Sequence, residues 1–189
     1  MSELNTFSIV ARCPRTGALG VAVATAVPAV GSMCPFLRPH TGAVSTQSWV
    51  NPYLAVAALD HMAAGLSAQA TLDAVLKTDD RADLRQFGLV DRSGAAVSWT
   101  GEGCTPWAGH RTGGGYAVQG NMLTGPKVVD DMAEAFEAAE TRDLPERLLL
   151  ALEAGDRVGG DKRGKQSAVL KVMQDEDYAL VDLKVDEHA

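Results

Sequence analysis

Only three cysteines occur in this 189-residue chain, Cys13, Cys34 and Cys104. They are odd in number, widely spaced and lack a CxxC pair, so neither a disulfide framework nor a zinc site is indicated. They read as buried free thiols. No run of lysines or arginines forms a stripe that could follow phosphates. With 17 basic against 24 acidic residues and a net charge of -7, nucleic acid is not an expected partner. No apolar run is long and charge-free enough to span a bilayer, and MSELN lacks the basic start and greasy middle of a secretion signal. The expectation is a cytoplasmic protein without a membrane partner. Gly113 to Gly115 are followed by no lysine and serine or threonine pair, and GGGYAVQG leads into a strand where a dinucleotide fingerprint must open a helix. Asp182, Asp186, Glu187 and His188 read as a solvent-facing acidic end. Neither a cofactor nor a metal is expected.

What is present is an ordinary core-forming composition, 46% hydrophobic and 22% charged, enough for one domain over residues 1–189. TFSIVAR alternates with period two and reads as a strand; CPRTGALG turns the chain, and VAVATAV resumes as its hairpin partner. Pro28, Gly31, Pro35 and Pro39 punctuate a loop, after which GAVSTQSW reads as a third strand. PYLAVAALDHMAAG is helical to Gly65, and Ser67 caps a second helix, AQATLDAVLKT. FGLVD and AAVSWTG form a hairpin, and GGGYAVQGNML is a further strand ending at Gly120 and Asn121. Gly125 and Pro126 open a helix through VVDDMAEAFEAA, and Pro145 opens another, ERLLLALEA, that stops at Gly155. GGDKRGKQ leads into SAVLKVM, with YALVDLKV as the closing hairpin partner.

The order is three strands, two helices, three strands, two helices and two strands. Hairpin-linked strands make antiparallel sheets, and helix pairs returning to the sheet cover its outer faces. The compact solution is α+β: two antiparallel sheets face to face, a helix pair outside each.

The runs TFSIVARCPRTGALGVAVATAVPAVG, STQSWVNP, CTPWAGHRTGGGYAVQGNMLTGP and GGDKRGKQSAVL resemble a bacterial and archaeal family, domain of unknown function 1028. That family is similar to the N-terminal nucleophile (Ntn) hydrolases. The resemblance runs from about Thr6 to His188. It implies a hydrolase-like fold, a four-layer αββα sandwich, without naming a substrate. In such enzymes the first residue of the mature chain attacks an amide carbonyl while its own α-amine, with a pKa of about 7.7–8.0, takes the proton. Thr6 occupies the matching place at the head of the first strand. It is preceded by Met1, Ser2, Glu3, Leu4 and Asn5, so the mechanism requires residues 1–5 to be a cleavable leader and the Asn5–Thr6 bond to be cut.

From spacing alone Thr6 is a strand threonine, and Ser8, on the same strand face, is its rival. Asn121, after a glycine at a strand end, is either an oxyanion donor or a turn cap. Gln47 and Asn51 lie where a site between two sheets would open, as substrate contacts or as parts of a structural network. In GGDKRGKQS, Asp161 would orient or tune the terminal amine while Arg163 or Lys165 meets a substrate carboxylate; the alternative is a solvated loop. His110 and Arg111 could bind substrate, or His110 could be a loop histidine packed on Trp107. His61 and His40 read as structural. Two functions therefore stand: an Ntn-type amidohydrolase acting on a small amide, and a catalytically silent binding or assembly module of the same fold. A homodimer or higher homo-oligomer through the helix layers is expected.

Overall fold

The structure, a computed structural model, describes residues 3–188. Met1 and Ser2 of the expected leader, and Ala189 at the end of the expected domain, lie outside the described residues.

Two antiparallel sheets stack face to face. One contains β1 (Glu3–Leu4), β4 (Pro35–Arg38), β5 (Gly42–Trp49), β6 (Arg85–Asp91) and β7 (Ala96–Thr100). Its order is β1-β5-β6-β7, with β4 also on β5. The other contains β2 (Thr6–Arg12), β3 (Leu19–Thr25), β8 (Gly109–Gly113), β9 (Tyr116–Gly120), β10 (Ser167–Met173) and β11 (Val181–Val185), in the order β11-β10-β3-β2-β9-β8. Helices α1 (Pro52–Ala63) and α2 (Ala68–Lys77) cover the first sheet; α3 (Lys127–Ala138) and α4 (Leu144–Arg157) cover the second. This is the αββα arrangement that the element order predicts. Among the described residues no helix is long and apolar enough to cross a membrane.

Alternation along each strand builds the layers. In β2, Phe7, Ile9 and Ala11 join the core under α3 and α4 with Met132, Phe136 and Leu148, while Val10 meets Val21, Ala43, Val90 and Ala117 between the sheets. Period two therefore turns Thr6 and Ser8 toward the opposite sheet. In β5 and β6, Val44, Phe87 and Leu89 pack under α1 and α2, which turns Ser45, Gln47 and Gln86 inward. The space between the sheets is thus apolar at one end and polar at the end where β2 begins.

Helix starts follow the expected chemistry: Asn51 Oδ1 accepts from Tyr53 N at 3.3 Å, and Ser67 Oγ accepts from Ala70 N at 3.3 Å. Three strands depart from the sequence expectation. β1 falls in the expected leader, β4 in the proline-punctuated loop, and β8 in the glycine-rich stretch holding His110. Helix α4 also runs through Gly155. There a Cβ would come within 2.7 Å of Met132 Cγ, so glycine serves close helix packing and the helix ends beyond it.

Candidate active site

Thr6 heads β2 and is 0% exposed. Its Oγ1 has no hydrogen-bond partner, and neither do two neighbouring buried atoms, Asn5 Oδ1 and Asn121 Oδ1. The Thr6 carbonyl accepts from the Asn121 backbone N–H at 3.0 Å and lies 3.4 Å from Gln47 Nε2.

The three described residues before Thr6 cross from one sheet to the other. Glu3 pairs with Trp49 and Leu4 with Ser48, so β1 lies on β5 beyond the end of β4. Leu4 is 2% exposed and Asn5 is buried. Glu3 Oε1 accepts from Asn5 Nδ2 at 3.0 Å and from Thr105 Oγ1 at 3.1 Å. The carbonyl oxygen of Asn5, the acyl group of the bond in front of Thr6, accepts from Thr25 Oγ1 at 2.6 Å and Arg163 Nη2 at 3.0 Å. Thr25 is the residue opposite Thr6 on β3.

Arg163 is aimed by Asp161, whose side chain is fully buried. Asp161 Oδ2 accepts from Arg163 Nη2 at 2.7 Å, and Oδ1 accepts from Nε at 3.1 Å and from the Arg163 backbone N–H at 2.9 Å. This two-toothed pairing holds the guanidinium in one plane and raises its pKa further. The loop reaches the head of β2 because Gly160, with φ +45°, passes over Phe7: a Cβ there would meet Phe7 Cε1 at 2.7 Å.

Behind Thr6 a buried network joins the sheets. Ser8 Oγ donates to Gln47 Oε1 at 2.6 Å and accepts from Gln119 Nε2 at 2.6 Å. Gln86 Oε1 accepts from Gln47 Nε2 and Asn121 Nδ2, both at 2.8 Å, while Gln86 Nε2 donates to the Gly120 carbonyl at 2.8 Å and Thr100 Oγ1 at 2.9 Å. Ser45 Oγ donates to Ser8 Oγ at 2.9 Å and stands 3.2 Å from Cys34 Sγ. Burial pushes the Cys34 thiol up to about 12, which leaves it protonated and unreactive. All three cysteines are free and buried.

Thr6, Gln47, Asn121, Asp161 and Arg163 are therefore brought together, and the other expected residues are not. Asn51 caps α1. Arg111 turns to α3, its Nη2 3.4 Å from Glu137 Oε2. Lys165 pairs with Asp156 at the surface. His110 lies on β8, its Nδ1 2.9 Å from Thr100 Oγ1, at the exposed end of the network rather than in a loop. Asn121 also differs in detail, because its Nδ2 is committed to Gln86 and only its backbone N–H serves Thr6. Thr25, Gln86 and Gln119 went unread in the sequence. The available signal was an inward polar residue at the same level in neighbouring strands.

Among known proteins, the model of a family of unknown function (DUF1028) matches residues 6–189. The crystal structure of protein SPO2555 from Silicibacter pomeroyi, which carries that family model, matches with a TM-score of 0.89 at 30% identity, covering 98% of this chain and 82% of that one. Anbu, an ancestral beta-subunit from Yersinia bercovieri, matches with a TM-score of 0.45 at 11% identity over 97% of this chain and 88% of that one, a likeness too distant to carry an argument. No curated protein matches the chain.

Proposed function

We propose that this chain, which belongs to the family of unknown function DUF1028, is an amidohydrolase of the N-terminal nucleophile type whose Thr6 is released by cleavage of the Asn5–Thr6 bond. The observation that carries this reading is the pair of donors on the Asn5 carbonyl, Thr25 Oγ1 and Arg163 Nη2, at the peptide bond preceding an unpartnered threonine hydroxyl.

Attack of Thr6 Oγ1 on the Asn5 carbonyl carbon places a negative charge on the oxygen those donors already hold. The C–N bond then breaks as the nitrogen takes up the proton released from the Thr6 hydroxyl and becomes the α-amine, and Asn5 is left as an ester on Thr6. Water hydrolyses that ester to the Asn5 carboxylate and the free Thr6 hydroxyl. In the mature chain the amine stands beside the Arg163 guanidinium, which favours its neutral, proton-accepting form. It takes the Thr6 proton as Oγ1 attacks a substrate amide; the substrate amine leaves, and water releases the acyl group. Departure of residues 1–5 frees Thr25 and Arg163 to meet a substrate carbonyl or carboxylate in the vacated volume.

A second reading rests on the burial of β1. With Leu4 and Asn5 packed and Thr6 fully covered, a chain that keeps its leader has neither an accessible nucleophile nor an amine base, and is a silent module of the same fold. Intact mass with N-terminal sequencing, before and after long incubation at neutral pH, separates the two. A chain beginning at Thr6 supports the hydrolase and justifies a screen of small amides; a chain that keeps residues 3–5 overturns it in favour of the module.

A further inference from the structure

The six-stranded sheet ends at β11, which among the described residues pairs with β10 alone. Its alternation gives Val181, Leu183 and Val185 one face and Asp182 and Lys184 the other. On the apolar face, Val181 and Leu183 lie opposite Val172 and Leu170 of the core, yet Leu183 stays 61% exposed and Val185 47%. Together with Leu149, Leu152 and Leu170 they line an open groove between the edge strand and α4. On the other face Lys184 Nζ lies 3.3 Å from Asp182 Oδ2. An exposed, apolar edge strand with no proline or bulge is a template for pairing with another strand.

We propose that β11 pairs antiparallel with β11 of a second copy of this chain about a two-fold axis at Leu183, joining the two six-stranded sheets edge to edge. The strand is self-complementary in that register. Val181 faces Val185 of the copy, Leu183 faces Leu183, and each Asp182 faces a Lys184, so the apolar face is continuous across the axis and two opposite-charge pairs form on the other side. Competing registers are penalised. A slip of one residue sets Leu183 against a charged residue and turns the faces against each other. A slip of two sets Asp182 against Asp182 or Lys184 against Lys184. The surface exposed on Leu149 of α4 adds to the same apolar face near the axis.

Sedimentation velocity on the full chain tests the pairing through its charges. The native protein is expected to be a dimer. Asp182→Lys sets lysine against lysine and Lys184→Asp sets aspartate against aspartate, so each variant alone should dimerise about tenfold more weakly or worse. An equimolar mixture of the two restores both opposite-charge pairs and should dimerise again, while circular dichroism of each variant verifies its fold. A monomeric native protein, variants that remain as dimeric as the native chain, or a mixture that stays monomeric overturns the proposal. Persistence of the dimer in both variants would assign association to another face, such as the helix layers.

Discussion

Arg163 Nη2 lies 3.0 Å from the carbonyl oxygen of Asn5, although 158 positions separate them in the chain. The contact brings a cation held by a buried carboxylate onto the acyl group of one particular peptide bond, and Thr25 Oγ1 approaches the same oxygen at 2.6 Å. If these groups stabilise the charge that forms during cleavage, removing either one slows the cut without unfolding the chain. Thr25→Val and Arg163→Gln are each expected to reduce the rate of Asn5–Thr6 cleavage by about 10²-fold. Intact mass against time reads the effect on variants that circular dichroism shows to be folded, since Arg163→Gln also leaves the buried Asp161 carboxylate without its guanidinium and lowers stability. An unchanged rate in both would remove these groups from the chemistry.

Thr6 itself offers a test in which activity and stability move in opposite directions. Its hydroxyl is buried and unpartnered, so in the uncut chain it carries a desolvation cost with no hydrogen bond to offset it. Thr6→Val keeps the shape and removes the hydroxyl. It should abolish cleavage and leave the uncut protein equally stable or about 1 kcal/mol more stable, as measured by denaturant unfolding. Thr6→Ser, which keeps a hydroxyl, should still cleave. A large destabilisation by valine would show that the hydroxyl is held by a hydrogen bond in the folded chain rather than free to attack.

Gln86 is the hub of the network behind the site. Its Oε1 accepts from Gln47 and Asn121, and its Nε2 reaches the Gly120 carbonyl. Gln86→Leu fills similar volume but strands two buried amides and a carbonyl, and should cost about 2–4 kcal/mol. For a chain of this size that lowers the melting temperature by roughly 5–15 °C. Calorimetry of the variant provides the measurement, and a change below 1 °C would mean that the network relaxes without it.

Much of this arrangement was legible because alternation and caps are local. GAVSTQSW and SAVLKVM span β5 and β10 residue for residue, and the capping role of Ser67 follows from a side chain that reaches only three residues onward, whereas Asn51, expected at the site, caps α1 instead. β4 and β8 were not legible: proline and glycine read as punctuation, yet a strand at a sheet margin tolerates both. Thr6, Asp161 and Arg163 could be picked out, but their relation could not, because Arg163 meets Asn5 only through a loop whose path depends on Gly160 clearing Phe7. Gln86 and Gln119 carry no local signature. Gln119 is one polar residue in an apolar strand and Gln86 shares its strand with Arg85 and Asp91; strand register sets Gln119 opposite Ser8 and Gln86 opposite Gln47, and stacking of the two sheets joins the pairs.

A final pair, Arg85 and Asp79, links stability to acid pH. Arg85 is 1% exposed; it forks onto Asp79, with Nη2 3.2 Å from Oδ1 and Nε on Oδ2, and Nη1 donates to the carbonyl of Trp49, the residue that pairs with Glu3. The hydrogen bonds from Arg85 hold the Asp79 carboxyl below its ordinary value. A carboxylate with a depressed folded pKa binds protons more readily when unfolded. Its stabilisation is therefore complete above the unfolded value of about 3.9 and is lost as pH falls through the lower folded value. Asp79→Asn removes the carboxylate from a buried guanidinium and should cost about 3–5 kcal/mol at neutral pH. The difference in stability between native and variant should stay constant from pH 7 to about pH 5 and shrink below about pH 4. Urea unfolding across that range measures it; a difference that does not shrink in acid would mean that Asp79 acts through packing rather than through its charge.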